Sequence, residues 1–183
     1  MPSVLIPLAQ GCEELEAVTV IDLLRRAGIE VISAGLDDQP VTAARGTRLL
    51  PDTTLDAALR RDYDMVVLPG GQPGADNLDH DTRIHTLLQR MSQQGKYIAA
   101  ICAAPKVLAS AGLLAGKHAT SFPGVLEELN LRDVHLSNAP VVKDGKVITS
   151  RGPGTAMDFA LELIELLAGK EKRVQVEAAL QRS

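Results

Sequence analysis

The sequence predicts an α/β fold, one doubly wound domain in which helices cover both faces of a mostly parallel sheet. Short, continuously apolar runs alternate along the chain with amphipathic stretches of helical length. This alternation is typical of parallel strands that are buried on both faces and joined by helices. No linker rich in Pro, Gly or Ser and no internal repeat interrupts the pattern, so residues 1–183 are expected to form a single domain.

The first part of the chain is predicted to contain three strands, a hairpin and two helices. The first helix is expected over residues 13–27 because Ala17, Ile21 and Leu24 recur at helical spacing, and Gly28 supplies its stop. The predicted elements are strands 4–8 and 29–34, helix 13–27, a hairpin of residues 41–44 and 48–50 around Arg45-Gly46-Thr47, strand 65–68 before Pro69-Gly70-Gly71, and helix 82–94.

The second part begins with a strand, residues 97–101, that passes abruptly into a helix, residues 103–111. Short strands follow, and two amphipathic stretches close the chain as helices. Their predicted bounds are strands 134–136, 141–142 and 147–149, with the turn 143–146 between the last two, and helices 154–167 and 170–181.

Charge and composition exclude several classes of function. The 19 Lys and Arg residues are outnumbered by 23 Asp and Glu, giving a net charge of −4, and no long basic run occurs. Nucleic acid and an anionic membrane surface are therefore not expected as main partners. Aromatic residues make up 2% of the chain, which argues against base-stacking platforms. No apolar stretch approaches the roughly 18 residues of a membrane span.

The cysteine count and the first residues bear on the cellular compartment. Cys12 and Cys102 are the two cysteines, too few for a disulfide framework. Residues 1–6 lack the charged region and the cleavage site of a secretory signal. We therefore expect a soluble protein of the reducing cytoplasm.

Cys102 lies where strand 97–101 turns into a helix, with Ala100 and Ala104 two residues before and after it. This pattern is typical of a nucleophile elbow, whose sharp turn excludes bulky neighbours and lifts the central side chain clear of the sheet. A thiol there faces the N-terminal end of a helix, where free N–H groups favour the thiolate, so a lowered pKa is expected. The alternative is a buried and inert cysteine, since Cys is among the most buried residue types.

Three segments are expected to meet at one edge of the sheet. In doubly wound folds, ligands bind beyond the carboxyl ends of the strands, at the point where the strand order reverses. Residues 10–16 follow the first strand, residues 68–71 follow the central strand, and Cys102 follows strand 97–101. Any chemistry is therefore expected where these segments converge.

Two backbone N–H groups are candidates for an oxyanion hole. Ala103 directly follows the candidate nucleophile, and Gly71 belongs to a glycine pair that lets the backbone approach a ligand closely. Together their N–H groups would stabilise a tetrahedral intermediate, although an ordinary turn also explains Pro-Gly-Gly. No GxGxxG motif, Walker motif or metal-ligand spacing occurs, so neither a cofactor nor a metal is expected.

An acidic cluster, Glu13, Glu14 and Glu16, opens the first helix. Complementarity to the helix dipole is a sufficient explanation for Glu13 and Glu14. Glu16 lies further in, beside the apolar Ala17, where partial burial would raise the pKa of its carboxyl. A protonated Glu16 pointing toward Cys102 would donate a hydrogen bond to the thiolate and then act as general acid and base.

Histidine, the usual partner of a catalytic cysteine, is poorly placed in this sequence. Ala103, and not a histidine, follows the candidate nucleophile. Each histidine is interpreted as an ordinary surface residue, so a cysteine-protease mechanism is not favoured. The four are His80, His85, His118 and His135.

The residues around Cys102, Glu16 and Gly71 resemble the DJ-1/ThiJ/PfpI superfamily. The chain is most similar to the DJ-1 branch and to its bacterial relative YajL, over nearly its whole length and in the expected order. The matching stretches are Gly-Cys-Glu-Glu-Leu-Glu-Ala (11–17), Leu-Leu-Arg-Arg-Ala-Gly-Ile (23–29), Val-Val-Leu-Pro-Gly-Gly (66–71), Ala-Ala-Ile-Cys-Ala-Ala-Pro (99–105) and Thr-Ser-Arg-Gly-Pro-Gly-Thr (149–155).

The resemblance implies a flavodoxin-like α/β sandwich, a homodimer and a readily oxidised cysteine at Cys102. Glu16 falls on the position of the family's protonated glutamate, while Gly71 and Ala103 fall on its backbone oxyanion donors. No cofactor is implied.

The resemblance extends to two arginines, and the chain departs from the family's pattern at two places. Arg26 and Arg45 match arginines that line the family's site entrance and dimer interface. The DJ-1 branch often has a histidine near the cysteine in a Thr-His-Pro segment, whereas this chain has Ser-Phe-Pro at residues 121–123. Proton transfer is therefore expected to fall to Glu16 or water. Cys12 replaces a small residue near the expected site, either as a resolving thiol or as a buried filler.

The resemblance implies two classes of function. The first is enzymatic: glutathione-independent glyoxalase activity, or deglycation of glyoxal-modified proteins or nucleotides, in which the Cys102 thiolate attacks a small aldehyde or a glycated substrate. The second is an oxidative-stress sensor or redox-regulated chaperone, in which Cys102 is oxidised to a sulfinate capped by Glu16. Both use the same thiolate, so the sequence leaves the choice open.

Overall fold

The structure, a computed structural model, describes residues 1–182 of the chain. These residues form eleven strands and seven α-helices. The strands are β1 (Ser3–Leu8), β2 (Glu30–Gly35), β3 (Val41–Thr42), β4 (Arg48–Leu49), β5 (Thr53–Thr54), β6 (Met65–Leu68), β7 (Tyr97–Ile101), β8 (His118–Ala119), β9 (His135–Leu136), β10 (Val141–Asp144) and β11 (Val147–Ser150). The helices are α1 (Glu14–Arg26), α2 (Leu55–Ala58), α3 (Gly74–His80), α4 (Thr82–Gln93), α5 (Pro105–Ser110), α6 (Ala156–Ala168) and α7 (Lys170–Ala179).

Seven strands form the main sheet, in the order β10-β11-β7-β6-β1-β2-β5. All neighbours pair in parallel except β10 and β11, which form an antiparallel hairpin at one edge. The chain builds β2 on one side of β1 and then returns to build β6 and β7 on the other. The strand order therefore reverses between β1 and β6, which is where this class of sheet binds its ligands.

Helices cover the two faces of this sheet over two apolar clusters. Alternate residues of the central strands point to opposite faces, so Leu5 and Val66 pack under α4 and α5, while Ile6 and Val67 pack under α1 and α6. All four of these side chains are at most 1% exposed, and burial of each stabilises the fold by roughly 1.5–3 kcal/mol. The predicted doubly wound α/β fold is confirmed.

The predicted elements agree with the structure best where the strands are fully apolar. Strands 65–68 and 97–101 have the predicted bounds, and β3 and β4 form the predicted small hairpin. The helix predicted over residues 103–111 begins two residues later, because residues 102–104 form the turn itself. The helix predicted from residue 154 begins instead with a 3₁₀ turn, Pro153–Thr155.

Helices α2 and α3 and strands β5 and β8 were not predicted. In α3, Ala75 and Leu78 are the buried apolar residues of a segment that starts with glycine and carries two aspartates, so its apolar periodicity is weak. Helix α2 is a single turn. Strands β5 and β8 have two residues each, too short to leave a pattern, and β8 pairs in parallel with β9, which lies within the predicted strand 134–136. Within residues 1–182, no helix combines the length and the apolar character needed to cross a membrane.

Candidate active site

The predicted convergence of segments is present at the carboxyl ends of β1, β6 and β7. Cys102 directly follows β7, the glycine pair Gly70-Gly71 follows β6, and Glu16 lies in the first turn of α1, the helix after β1. The site therefore lies beside the point where the strand order reverses.

The backbone at Cys102 makes the sharp turn that the sequence predicts. Its φ is +65°, a left-handed conformation that costs a non-glycine residue about 1–3 kcal/mol. Two backbone hydrogen bonds hold it there: the Cys102 N–H donates to the Ser150 carbonyl at 2.9 Å, and the Cys102 carbonyl accepts from the Phe122 N–H at 2.9 Å. Both flanking alanines, Ala100 and Ala104, are fully buried, so larger side chains would have no room.

The glycine pair allows β6 to end against the nucleophile. A Cβ atom at Gly70 would lie 2.7 Å from the Cβ of Cys102 and 2.7 Å from the Ile101 carbonyl oxygen. Gly71 has a φ of +87°, and a Cβ there would lie 2.4 Å from the backbone nitrogen of Glu13. Both positions therefore require glycine. This requirement favours a functional role for Gly70-Gly71 over an ordinary Pro-Gly-Gly turn.

Glu16 is buried and directed at the thiol. Its side chain is fully buried, and its Oε2 accepts a hydrogen bond from the Gly70 N–H at 2.9 Å. Its Oε1 has no hydrogen-bond partner among residues 1–182, and the carboxyl lies near the Cys102 thiol. Burial raises the pKa of Glu16 to about 7, against the lowering effects of the Gly70 N–H and of the Cys102 side chain. The carboxyl is therefore protonated in a large fraction of molecules near neutral pH.

The thiol itself does not have the low pKa that the sequence predicts. Burial and the neighbouring Glu16 carboxyl together raise the pKa of Cys102 to about 12, against the lowering effect of the N–H groups of Gly71 and Ala103. The prediction overlooked the burial of the sulfur and the charge that a neighbouring carboxylate places beside it.

Cys102 and Glu16 act as one titrating pair, because each resists ionisation beside the charge of the other. When the shared proton lies on Glu16, the repulsion disappears and the carboxylic acid can donate to the sulfur. The backbone N–H groups of Gly71 and Ala103 remain in place as further donors to the thiolate. A nucleophilic thiolate would thus require the form of the pair in which Glu16 carries the proton.

A pocket of about 350 Å³ opens above Cys102. Cys102 lies at the base of this pocket and is 8% exposed. Its polar wall contains Glu13, Arg45 and Gln72, and its apolar wall contains Ala44, Phe122, Val125 and Pro153. Larger cavities of about 470 and 610 Å³ lie elsewhere, but neither is lined by a cysteine. The chemistry therefore belongs to the smaller pocket.

The two arginines of the family resemblance lie in different places. Arg45 lines the pocket, and its backbone N–H donates to the Glu14 carboxylate at 3.1 Å, which fixes the turn that carries it. Arg26 is half-exposed at the end of α1, where it pairs with Asp22 at 3.0 Å, and it does not line the pocket. Because the last turn of α1 lies away from the pocket, the place at a dimer interface, the other location that the resemblance implies, stays a prediction for Arg26.

Cys12 is fully buried and does not line the pocket. Burial, together with the charges of Glu14 and Glu13, raises the pKa of its thiol to about 12. Its backbone lies against Gly74, where a Cβ would be 2.5 Å from the Cys12 nitrogen. These contacts favour the buried filler over the resolving thiol.

No histidine of residues 1–182 lines the pocket. His118 and His135 stack on each other at 4.8 Å on β8 and β9, and His85 contacts Asp79 at 3.0 Å. Over the same residues, His, Cys, Asp and Glu form no cluster of three suited to a metal ion. Proton transfer in the pocket therefore falls to Glu16 or to water.

The apolar wall of the pocket was not predicted from the sequence. Phe122 and Val125 come from the loop after β8, and Pro153 comes from the turn after β11, far apart in the chain. The one available signal was the Ser-Phe-Pro segment at residues 121–123, where the family resemblance leads one to expect a histidine.

Comparison with known proteins agrees with this arrangement. The DJ-1/PfpI family matches residues 2–166. The chain is 45% identical to protein dj-1beta of Drosophila melanogaster, covering 97% of this chain and 96% of that protein. It is 37% identical to the glutathione-independent glyoxalase DJR-1.2 of Caenorhabditis elegans, covering 92% and 89%.

Solved structures show the same likeness in three dimensions. The crystal structure of Drosophila melanogaster DJ-1beta matches with a TM-score of 0.95 and 44% identity, covering 100% of this chain and 98% of that one. Oxidized Toxoplasma gondii DJ-1 matches with a TM-score of 0.95 and 38% identity, covering 100% of both chains. A nearer likeness to YajL stays a prediction. With this fold, this glycine pair and this elbow cysteine, the chain belongs to the DJ-1/PfpI family.

Proposed function

We propose that this protein converts reactive α-oxoaldehydes such as methylglyoxal into 2-hydroxy acids without glutathione. The observation that carries the proposal is the buried pair of Cys102 and Glu16, with the N–H groups of Gly71 and Ala103 directed at the same sulfur. The name of the Caenorhabditis elegans relative, a glutathione-independent glyoxalase, supports the same chemistry.

The first step is attack of the sulfur on the aldehyde carbon. The Cys102 thiolate, formed when Glu16 takes the shared proton, adds to that carbon, and Glu16 then gives the proton to the new alkoxide, which yields a hemithioacetal and leaves Glu16 as a carboxylate. The negative charge that develops on the aldehyde oxygen is stabilised by the N–H groups of Gly71 and Ala103. These donors are fixed by the elbow and by the glycine pair, so they need no rearrangement during the reaction.

The second step is an internal proton transfer followed by hydrolysis. Glu16 removes the proton from the former aldehyde carbon and a proton is returned to the neighbouring carbon, which turns the hemithioacetal into a thioester. The first carbon is oxidised and the second is reduced, so no external oxidant is needed. Water then cleaves the thioester, which releases the hydroxy acid and restores the thiol.

A turnover assay with methylglyoxal tests the proposal, with lactate identified as the product. We expect Cys102→Ala to abolish lactate formation, and Cys12→Ala to retain it, because Cys12 lies outside the pocket. Lactate formation at the wild-type rate by Cys102→Ala would overturn the proposal.

Deglycation is an extension of the same proposal. Glyoxal-modified proteins or nucleotides carry a carbon of the same oxidation level as the hemithioacetal, so the pair of Cys102 and Glu16 would process them by the same steps. The assay uses a purified adduct together with a scavenger of free aldehyde. Release of the adduct that stops in the presence of the scavenger would restrict the activity to free aldehydes.

A second candidate function is redox sensing, because the same N–H donors would stabilise an oxidised sulfur. Oxidation of Cys102 to the sulfinate would place its oxygens between these donors and a protonated Glu16, with a change in stability or partner binding as the signal. One similar solved structure is of oxidized Toxoplasma gondii DJ-1. After peroxide treatment, mass spectrometry should find a gain of about 32 Da on the Cys102 peptide, and its absence would exclude this role.

We also propose that the protein is a homodimer through the exposed face of α1. Leu15 and Val18 are 49% and 47% exposed there, and Asp22 and Arg26 continue the same face at helical spacing. A self-complementary contact would bury this apolar pair. Light scattering should give the dimer mass for the wild type and the monomer mass for Leu15→Glu; a monomeric wild type would contradict it.

The proposed compartment is the cytoplasm. Both cysteines are free thiols, which suits a reducing environment. The proposed substrates, small reactive aldehydes, would reach the protein there by diffusion. Immunofluorescence of the tagged chain in its own cell tests this placement.

A further inference from the structure

We propose that the pocket selects α-oxoaldehydes that carry an aryl substituent, and that Phe122 is the residue that sets this preference. The inference rests on the proposed function and deepens it by naming the substrate class. Its structural basis is a pocket that the nucleophile shares with the apolar wall and the polar wall described above.

The apolar wall presents an aromatic ring to solvent beside the nucleophile. Phe122 is 48% exposed, whereas Phe159, the other phenylalanine of the chain, is fully buried in the core. Val125 and Pro153 extend the same wall. A substrate with an aromatic group would cover this surface and stack against the ring, whereas the single methyl group of methylglyoxal would cover little of it.

The ring is held close to the sulfur by its own backbone. The Phe122 N–H donates to the Cys102 carbonyl at 2.9 Å, so the aromatic residue and the nucleophile are joined by a direct hydrogen bond. The Phe122 carbonyl accepts from the Val125 N–H at 3.1 Å and from the Ser121 hydroxyl at 2.9 Å. These bonds order the turn, so the backbone that carries the ring is held beside the nucleophile.

The ring also contacts the turn after β11. A Cβ at Gly152 would lie 3.4 Å from Cδ2 of Phe122, so the ring packs against this glycine. The pocket volume of about 350 Å³ lies within the roughly 300–1,000 Å³ of small-molecule sites, more room than a three-carbon aldehyde needs.

The two walls give an aryl oxoaldehyde a preferred orientation. Its substituent lies against Phe122, and its oxygens lie toward Arg45 and the backbone donors at Gly71. Phenylglyoxal would then react by the steps already described: addition of the thiol, transfer of a proton between the two carbons, and hydrolysis by water to mandelate. One water is consumed, and oxidation of one carbon balances reduction of the other.

Initial rates with phenylglyoxal and methylglyoxal test the inference in the wild type, Phe122→Ala and Phe122→Leu. The quantity compared is the ratio of the two kcat/KM values, because intrinsic aldehyde reactivity cancels between variants. We expect Phe122→Ala to lower the ratio about tenfold, equivalent to about 1.4 kcal/mol, and Phe122→Leu to lower it less. Leu136→Ala, at an exposed apolar residue outside the pocket, serves as the matched control and should leave the ratio unchanged.

The measured rates distinguish a failure of the aryl preference from a failure of the proposed glyoxalase function. If the wild type turns over methylglyoxal but Phe122→Ala keeps the wild-type ratio, the aryl preference is overturned and the glyoxalase proposal stands. If the wild type turns over neither aldehyde, both are overturned. A lowered ratio in Phe122→Ala with an unchanged ratio in Leu136→Ala supports the inference, because a general loss of folding would lower both rates together.

Discussion

The two cysteines of this chain are alike in burial and different in surroundings. Cys12 and Cys102 are both free and buried, and burial raises the pKa of each to about 12. Cys102 has a left-handed backbone, two N–H donors, a protonatable carboxyl and a pocket above it. Cys12 has neighbouring carboxylates and no pocket. The groups that face each sulfur, and not its burial, therefore distinguish the proposed nucleophile from the other thiol.

We expect the largest effect on turnover from removing Glu16, the proposed proton relay beside Cys102, which Cys12 lacks. Glu16→Gln keeps the size of the side chain and a donor near the sulfur but cannot take up a proton. We expect kcat/KM for methylglyoxal to fall about 100-fold, the lower end of the contribution of general acid–base catalysis. Glu171→Gln, at an exposed position of α7, is the matched control and should stay within about twofold of the wild type. A fall smaller than that of the control would remove Glu16 from the mechanism.

Glu16 should also make folding stability depend on pH. Its folded pKa of about 7 is above the ordinary value of 4.5, so its contribution is fully present below 4.5 and is lost as the pH rises through about 7. The gap corresponds to about 3 kcal/mol of unfolding free energy. Urea denaturation at several pH values should show the wild type losing this stability relative to Glu16→Gln. Parallel pH profiles for the two proteins would contradict a raised pKa.

The next expected effect concerns the close packing of Gly70 against Cys102. In Gly70→Ala the new methyl group would lie 2.7 Å from the Cβ of Cys102, and no flexible side chain can yield. We expect a loss of about 2–3 kcal/mol of unfolding free energy together with loss of turnover. At Gly154 a Cβ meets nothing within 4 Å, so Gly154→Ala should change stability by less than about 0.5 kcal/mol. Equal stability of the two variants would show that the close approach at Gly70 is not needed.

The smallest expected effect belongs to Cys12. Cys12→Ala leaves a small cavity in the core, for which we expect a cost of about 1 kcal/mol. Turnover should stay within about twofold of the wild type, because the thiol touches neither the substrate pocket nor the proton relay. Chemical denaturation and the methylglyoxal assay measure the two effects. A large loss of turnover in this well-folded variant would return Cys12 to the mechanism as a resolving thiol.

Much of the fold could be predicted because its central strands are buried on both faces. Strands β6 and β7 read as continuous apolar runs, and the rule for parallel sheets then placed Cys102, Glu16 and the glycine pair at one edge. The burial of Glu16 followed from its place beside Ala17 on α1. Short elements such as α2, β5 and β8 left no periodic signal, because tertiary contacts hold them.

The site was harder to predict where it depends on several loops or on coupled charges. The wall formed by Phe122, Val125 and Pro153 arises from two loops whose packing no local pattern reports. The high pKa of Cys102 depends on the ionisation state of Glu16, so it could not be deduced from an elbow and a helix terminus alone. The position of Arg26 required the direction of the last turn of α1.

The most direct test of the central claim, that Cys102 and Glu16 titrate as one pair, is the pH dependence of thiol alkylation. Iodoacetamide labelling followed by mass spectrometry gives the apparent pKa of Cys102 in the wild type and in Glu16→Gln, while Cys12 serves as an internal control in both. The account predicts a lower apparent pKa for Cys102 in Glu16→Gln, because the carboxylate charge that raises it is gone, with little labelling of Cys12. The same apparent pKa in both proteins would contradict it.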